Sequence, residues 1–107
     1  MDDRLKQIAD YYGLDSQLNI LQEELAELIQ AISKYRRRDP THILEEIADV
    51  EIMLDQVKYL IGNPVTPRVF VETAVEVIRE NKINRQLKRI EEETRYNGKQ
   101  DANQSEQ

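Results

Sequence analysis

Apolar residues recur along much of this chain at alternating steps of three and four, the spacing of one face of an α-helix. The two clearest runs predict helices over residues 16–37 and 40–60. Their apolar positions are Leu18, Leu21, Leu25, Leu28, Ile32 and Tyr35 in the first run, and Ile43, Ile47, Val50, Leu54, Val57 and Ile61 in the second. Such apolar seams are typical of helices that pack together in a bundle.

Start and stop signals divide the chain into four predicted helices. A short helix is predicted over residues 2–12, and Gly13 suits the left-handed conformation that closes a helix. The pair Asp39-Pro40 ends one helix and starts the next, since Asp is a good cap and Pro suits the first helical position. Residues 62–64 contain a second break, after which a fourth helix is predicted over residues 67–95.

The chain is long enough for one domain, with a tail. Its 107 residues match a single helical domain, predicted over residues 1–96. Residues 97–107 hold no apolar residue except Ala102, so this segment is predicted to be a disordered polar tail. Only 39% of the residues are hydrophobic, a thin core for long helices. We therefore expect homo-oligomerisation to bury further apolar surface.

Composition excludes several classes of function. The net charge of -6 argues against a partner that is a nucleic-acid polymer, because such a protein needs a basic face. The chain has no cysteine and 1 histidine, which excludes disulfides and thiolate sites and disfavours a histidine-based zinc site. It also lacks an apolar run of about 20 residues and begins with an acidic segment, so we expect a cytoplasmic protein without a membrane partner.

Two pairs of acidic residues beside the apolar seams are the main candidate for chemistry. Glu24 and Glu27 lie on one predicted helix, Glu46 and Asp49 lie on the next, and each pair has the i, i+3 spacing of one helical face. In an antiparallel hairpin, Glu27 would lie level with Glu46, and Glu24 with Asp49. Four carboxylates in one place require protonation or a cation, and oxygen ligands favour Mg²⁺, Mn²⁺ or Ca²⁺.

A basic stripe on the fourth predicted helix is a second candidate. Its apolar positions lead, at helical steps, to Lys82, Arg85 and Arg89. These residues could bind phosphate oxygens, or they could form an ordinary solvated end of the helix. The acidic pairs have the same alternative, because acidic residues at i, i+3 often form a solvated face.

The acidic blocks also resemble a known family. Glu23-Glu24-Leu25-Ala26-Glu27, followed by Glu46-Ile47-Ala48-Asp49-Val50, resembles the EExxE…ExxD signature of MazG-like nucleotide pyrophosphohydrolases. The segment from Lys82 to Ile90 resembles the basic segment on the last helix of that family, and the similarity covers about residues 5 to 90. The resemblance implies an all-α fold, a four- to five-helix bundle of the NTP pyrophosphatase type, completed as a homodimer or homotetramer.

The activity that the resemblance implies is Mg²⁺-dependent cleavage of a (d)NTP to a (d)NMP and pyrophosphate, with Mn²⁺ as an alternative metal. A metal-activated water would attack the α-phosphorus. The implied metal ligands are Glu24, Glu27, Glu46 and Asp49. Lys82 would join them as a catalytic residue, and Lys82, Arg85 and Arg89 would bind the substrate phosphates.

Other residues have less certain roles. Glu23 and Glu45 could hold a second metal or orient the water, or could be ordinary surface charges. The candidates for a base pocket, which continue the acidic stripes, are Ile20, Met53 and Gln56. Residues expected in the core or an interface, one of which could instead stack on a base, are Tyr11, Tyr12 and Tyr35. His42 is expected to be a surface residue.

The choice of substrate stays open at this point. The chain has no Trp and 1 Phe, so the aromatic clamps known in some relatives are not evident. Phosphoribosyl-ATP, dUTP and dCTP are alternative substrates within the same superfamily. A helical interaction module, stabilised by a cation but without turnover, is an alternative from another class.

Overall fold

The structure is a computed structural model that describes residues 1–62 and 68–105, with side chains described for residues 1–62 and 71–99. The described residues form four helices and contain no strand, so the predicted all-α class is confirmed. The helices are α1 (Asp3–Tyr12), α2 (Leu14–Arg36), α3 (Ile43–Gly62) and α4 (Arg68–Ser105). The predicted start of the fourth helix at residues 66 and 67 lies outside the described residues. Within the described part, no helix is both long and apolar enough to cross a membrane.

The chain divides into two units, Met1–Glu72 and Thr73–Gln107. In the second unit, α4 continues to Ser105 and does not end near Arg95, where the sequence predicted its end. All side chains from residue 76 to residue 99 are exposed, so this helix has no buried core of its own. The predicted division into a domain over residues 1–96 and a disordered tail stays a prediction.

A glycine closes α1, as the sequence predicted. Gly13 has φ 84° and ψ 169°, and its backbone N–H donates a hydrogen bond of 2.9 Å to the Ala9 carbonyl. This combination of angles is adopted readily only by glycine, because a Cβ atom would clash with the local backbone. The chain therefore turns sharply from α1 into α2, which begins at Leu14.

An arginine, not a glycine, takes the left-handed conformation where α2 ends. Arg38 has φ 69°, and its N–H donates a hydrogen bond of 2.9 Å to the Tyr35 carbonyl. The N–H of Asp39 reaches back to the Lys34 carbonyl, also at 2.9 Å. These two bonds form a Schellman motif, which satisfies carbonyl groups that the end of a helix would otherwise leave unpaired.

The third helix begins later than the sequence predicted. α3 starts at Ile43, whereas Pro40 was predicted as its first residue. The Asp39 carboxylate accepts hydrogen bonds from the backbone N–H and the hydroxyl of Thr41, which closes a short turn before the helix. The carbonyl of His42 then accepts a backbone hydrogen bond of 3.0 Å from the first turn of α3.

The helices α2 and α3 pack as an antiparallel hairpin in a heptad register. Gln17 donates a buried hydrogen bond of 2.6 Å to Gln56, which sets these two residues level with each other. Seven residues closer to the turn on each helix, Glu24 is level with Asp49. This is the register that the acidic pairs predicted.

The inner face of this hairpin coincides only in part with the apolar seam that the sequence predicted, because Val50 and Val57 are buried whereas other seam residues are exposed. Its buried residues are Gln17, Ala31, Val50, Met53, Gln56, Val57 and Leu60. Six exposed seam residues each follow directly after a buried or half-buried residue and therefore point about 100° away from it round the helix. Apart from Tyr35, which is also exposed, the exposed seam residues are Leu18, Leu25, Ile32, Ile47, Leu54 and Ile61. They are heptad-spaced on both helices and lie on the same side of the hairpin. We call them the outer apolar face.

The short helix α1 packs against the end of α3. Ala9 is fully buried and forms a small core with Tyr59, Leu60 and the half-buried Leu14. The Tyr59 hydroxyl donates a hydrogen bond of 2.6 Å to the carboxylate of Asp10, which ties α1 to α3. The half of α3 that carries the acidic residues lies towards the other end of the helix.

Candidate metal centre

Three carboxylates meet between α2 and α3. Glu24, Glu46 and Asp49 each offer an oxygen, and these oxygens all lie within 4.8 Å of one another. We call this group the acidic cluster. Glu24 comes from α2, while Glu46 and Asp49 come from one face of α3 because they are three residues apart. The antiparallel heptad register brings the two helices' carboxylates to the same level.

Two oxygens of the acidic cluster are buried and have no hydrogen-bond partner within the part of the chain that the structure describes. They are Oε2 of Glu24 and Oε2 of Glu46, and both residues are half-buried. A buried polar atom without a partner costs about 1–3 kcal/mol, and a charged group costs more. The helix packing therefore buries these two atoms where no described protein group donates a hydrogen bond to them.

The electrostatics of the cluster are repulsive. Burial raises the pKa of Glu24, and the negative charges of Asp49, Glu27 and Glu46 raise it further. Burial also raises the pKa of Glu46, with contributions from the charges of Glu27 and Asp49. Both shifts mean that the fully ionised cluster is unfavourable by itself. A proton or a bound cation would relieve the repulsion.

The fourth predicted ligand lies at the edge of the cluster. Glu27 is exposed, but it lines one pocket with Glu46, and after burial its negative charge is the main cause that raises the pKa of Glu46. The four carboxylates that the sequence singled out therefore come together. Three of them have oxygens within 4.8 Å of one another.

The donor atoms fit a hard divalent cation. All of the groups are carboxylates, and Mg²⁺, Mn²⁺ and Ca²⁺ prefer oxygen ligands, whereas zinc sites normally include nitrogen or sulfur. Mg²⁺ commonly binds one or two carboxylates together with waters and substrate phosphates. A cluster with two unsatisfied carboxylate oxygens is compatible with that coordination.

The two auxiliary candidates lie outside the acidic cluster. Glu23 and Glu45 are each next to a cluster residue in sequence, yet both side chains are exposed. Because neighbouring residues on a helix point about 100° apart, Glu23 and Glu45 cannot face the same centre as Glu24 and Glu46 without a change of rotamer. Their roles stay predictions.

The predicted base-pocket residues lie on the inner face of the hairpin. Met53 and Gln56 are buried, with exposed fractions of 6% and 2%, and Ile20 is half-buried. The side-chain oxygen of Gln56 already accepts the hydrogen bond from Gln17. A base could reach these residues only if the hairpin packing changed, so their role in base recognition stays a prediction.

A pocket of about 240 Å³ lies beside the acidic cluster and shares Glu46 with it. Its lining residues are Glu27, Gln30, Ala31, Lys34, His42 and Glu46. Gln30 and Lys34 were not predicted from the sequence, and His42 was expected to be only a surface residue. The heptad register could have identified these residues, because Lys34 lies seven residues after Glu27 on the same face of α2 and His42 lies level with Ala31.

The basic candidates are all on α4. Lys82, Arg85 and Arg89 are exposed, and their spacing places them on one face of that helix. They belong to the second unit, Thr73–Gln107, which is described by itself. Their predicted action on the substrate phosphates stays a prediction.

The tyrosine candidates are on the surface of this single chain. Tyr11, Tyr12 and Tyr35 are 81%, 58% and 57% exposed, so the expectation of a place in the core is wrong for all three. The rings of Tyr11 and Tyr12 are in edge-to-face contact, with centroids 4.8 Å apart. An interface or a stacked base remains open for them.

Comparisons with known proteins do not assign the chain to a family. No protein-family model matches the chain, and no curated protein and no solved structure matches it either.

Proposed function

We propose that this protein is a Mg²⁺-dependent nucleotide pyrophosphohydrolase that cleaves a (d)NTP to a (d)NMP and pyrophosphate. The observation that carries the proposal is the acidic cluster of Glu24, Glu46 and Asp49, with its two buried and partnerless carboxylate oxygens. The resemblance of the two acidic blocks to the EExxE…ExxD signature supports the same function.

In this proposal, the carboxylates between α2 and α3 hold the metal. Glu24, Glu46 and Asp49, with Glu27 at the edge, would hold Mg²⁺, or Mn²⁺ in its place. When bound, the metal supplies positive charge to the phosphates and lowers the pKa of the water that attacks the α-phosphorus. The half-buried position of the carboxylates limits competing water, which strengthens their interaction with a cation.

The basic residues of α4 have a complementary part. Lys82 and Arg85 would bind phosphate oxygens, with Arg89 one turn further along the helix. Negative charge develops on the leaving pyrophosphate, and a nearby cationic side chain stabilises it. We therefore count Lys82 as a catalytic residue, in addition to the carboxylates that would hold the metal.

A homo-oligomer, a dimer or a tetramer, is part of the proposal. The outer apolar face leaves heptad-spaced residues exposed on both helices of the hairpin, for example Leu25 at 40% and Leu54 at 44%. A second hairpin could pack there in the manner of a four-helix bundle. Sedimentation analysis should show an assembly that Leu25→Glu and Leu54→Glu dissociate, and a monomeric wild-type protein would contradict this part.

The decisive experiment for the activity measures pyrophosphate release. A panel of the eight common NTPs and dNTPs plus phosphoribosyl-ATP should identify a substrate and separate the dUTP-, dCTP- and phosphoribosyl-ATP-directed alternatives. Glu24→Ala and Asp49→Ala should abolish Mg²⁺-dependent release without loss of helicity. Glu51→Ala is the matched control, because Glu51 is an exposed acidic residue on the same helix as Asp49. Unchanged activity in both cluster variants would refute the proposal.

A non-catalytic helical module is the second candidate, since the same carboxylates could bind a cation for stability alone. Thermal melts with Mg²⁺ and a non-hydrolysable nucleotide discriminate the two. Joint stabilisation beyond that given by either ligand alone favours the enzyme, because each ligand then adds to the binding of the other. Stabilisation by Mg²⁺ alone, with no effect of nucleotide, favours the module. Either function is compatible with the cytoplasm, which we propose as the location.

A further inference from the structure

The pocket beside the acidic cluster has two chemically different sides. Glu46, a member of the acidic cluster, and Glu27, at its edge, form one side. Lys34, His42 and Gln30 supply nitrogen atoms that can donate hydrogen bonds, and the buried Ala31 leaves room between α2 and α3. A ligand in this pocket would therefore meet a potential metal site at one end and hydrogen-bond donors at the other.

The side chains of Lys34 and His42, on the second side of the pocket, do not form ion pairs that hold the described helices together. Among residues 1–62 and 71–99, neither Lys34 nor His42 forms an ion pair, although four other ion pairs are present. Hydrogen bonds from Thr41 and, after them, the charges of His42 and Lys34 lower the pKa of Asp39. Lys34 nevertheless forms no ion pair within the described residues, so its ammonium group can contact a ligand.

The size and lining of the pocket limit what it can bind. Pockets for whole small molecules usually measure about 300–1,000 Å³ and are mostly apolar. This one measures about 240 Å³, and every lining side chain except that of Ala31 is polar. Such a space suits one or two phosphate groups better than it suits a nucleobase, which needs apolar or aromatic walls.

We propose that this pocket binds the outer phosphates of the substrate, the pair released as pyrophosphate, with Lys34 and His42 among their protein contacts. The inference rests on the proposed function, because it places the metal-binding carboxylates at the inner end of the same phosphate chain. It makes the protein selective for substrates with at least two phosphates beyond the one attacked. A nucleoside monophosphate would leave this pocket empty.

Titration calorimetry with Mg²⁺ alone, inorganic pyrophosphate alone and the two together tests the inference on the full chain. The variants are Lys34→Gln and His42→Gln. The control is Arg36→Gln, since Arg36 is an exposed cation in the same helical turn as Lys34 and does not line the pocket. Loss of one charge-assisted hydrogen bond should weaken pyrophosphate binding about tenfold or more in Lys34→Gln. Mg²⁺ binding should change little, and Arg36→Gln should bind pyrophosphate like the wild type.

The outcomes separate the two proposals. Equal weakening in Arg36→Gln, or unchanged pyrophosphate binding in both pocket variants, overturns the inference while leaving the metal site intact. Pyrophosphate binding that depends on Lys34 without any Mg²⁺ binding supports the pocket and contradicts the proposed enzyme. Absence of pyrophosphate binding to the wild type, with Mg²⁺ present, overturns the inference. Nucleoside monophosphate serves as the negative probe, and its affinity should be the same in Lys34→Gln and the wild type.

Discussion

Two layers of polar side chains lie seven residues apart between α2 and α3. The side chains of one layer satisfy each other by a hydrogen bond, whereas those of the other repel each other. In the glutamine layer, Gln17 donates to Gln56 at 2.6 Å, and both side chains are buried. In the carboxylate layer, Glu24 faces Asp49, and Glu46 adds a further negative charge. The first layer supplies a donor for an acceptor, whereas the second supplies only acceptors.

The comparison shows how the same register can serve two purposes. Buried amide groups that satisfy each other specify the alignment of two helices, because any slip would leave both without partners. Buried carboxylates that face each other destabilise the alignment unless a cation or a proton is added. The glutamine layer therefore helps to hold the carboxylate layer in an arrangement that it would not adopt alone.

The largest expected effect comes from neutralising the carboxylate layer. Glu24→Gln should weaken Mg²⁺ binding by more than about 100-fold, since loss of a direct ligand exceeds the loss typical for its supporting residues. The same change should raise the stability of the metal-free protein, because it removes one of the repelling charges. Calorimetry and urea unfolding measure the two effects. Glu51→Gln is the control. If Glu24→Gln lowered both the Mg²⁺ affinity and the stability of the metal-free protein, the distinction between the two layers would be contradicted.

The next effect should come from the glutamine layer. Gln56→Leu leaves the amide of Gln17 buried without its acceptor, which should lower the free energy of unfolding by about 1–3 kcal/mol. The double variant Gln17→Leu/Gln56→Leu should recover much of that loss, because no unpaired amide remains. Urea unfolding measures the stability, and Mg²⁺ affinity should stay within about twofold of the wild type. A raised KM for nucleotide with unchanged stability would instead favour Gln56 as a base-pocket residue.

A pH series sharpens the contrast further. The pKa values of Glu24 and Glu46 are raised above their ordinary value of 4.5, so the folded metal-free chain binds more protons than the unfolded chain above that pH. Its free energy of unfolding should consequently fall as the pH rises from 4.5 through the two raised pKa values. The lowered pKa values of Asp2 and Asp39 act below their ordinary 3.8, outside this window.

Chemical unfolding at several pH values tests this contribution by difference. The double variant Glu24→Gln/Glu46→Gln lacks both titrating groups and should show a flatter profile over the same range. Saturating Mg²⁺ should reverse the slope for the wild type, because the metal binds the deprotonated carboxylates. A wild-type profile identical to that of the double variant would contradict the repulsion described for the carboxylate layer.

The smallest expected effect concerns the turn that aligns both layers. Arg38→Gly removes the strain of a left-handed arginine, whereas Arg37→Gly adds flexibility at a residue with φ -89°. Each change removes one positive charge near the same helix end, so the pair is matched. Arg38→Gly should be more stable than Arg37→Gly by about 1 kcal/mol in urea unfolding. Equal stabilities would show that the turn geometry contributes little.

Much of the helical arrangement followed from the sequence because its signals are local. The break at Asp39-Pro40, the glycine after α1 and the i, i+3 acidic pairs all act within a few residues. The level pairing of Glu24 with Asp49 was also predictable, since a short turn allows few registers. A left-handed Arg38 was not, because arginine has no intrinsic preference for that conformation.

The seams were harder to predict for a physical reason. The most regular apolar residues, such as Leu18 and Leu25, lie on the outer face of this single chain, while polar Gln17 and Gln56 lie inside. Periodicity identifies an apolar face but not which partner covers it. The residues of the pocket beside the acidic cluster were missed for a related reason, since Lys34 and His42 line one pocket only after the helices are brought together.

The hairpin origin of the carboxylate layer has a consequence for folding. All of its members lie between residues 24 and 49, so the chain need close only one short loop to bring them together. Contacts of low sequence separation form quickly during folding. We therefore expect the carboxylates to meet as soon as the hairpin closes, and a divalent cation present at that moment would speed the collapse that their repulsion otherwise slows.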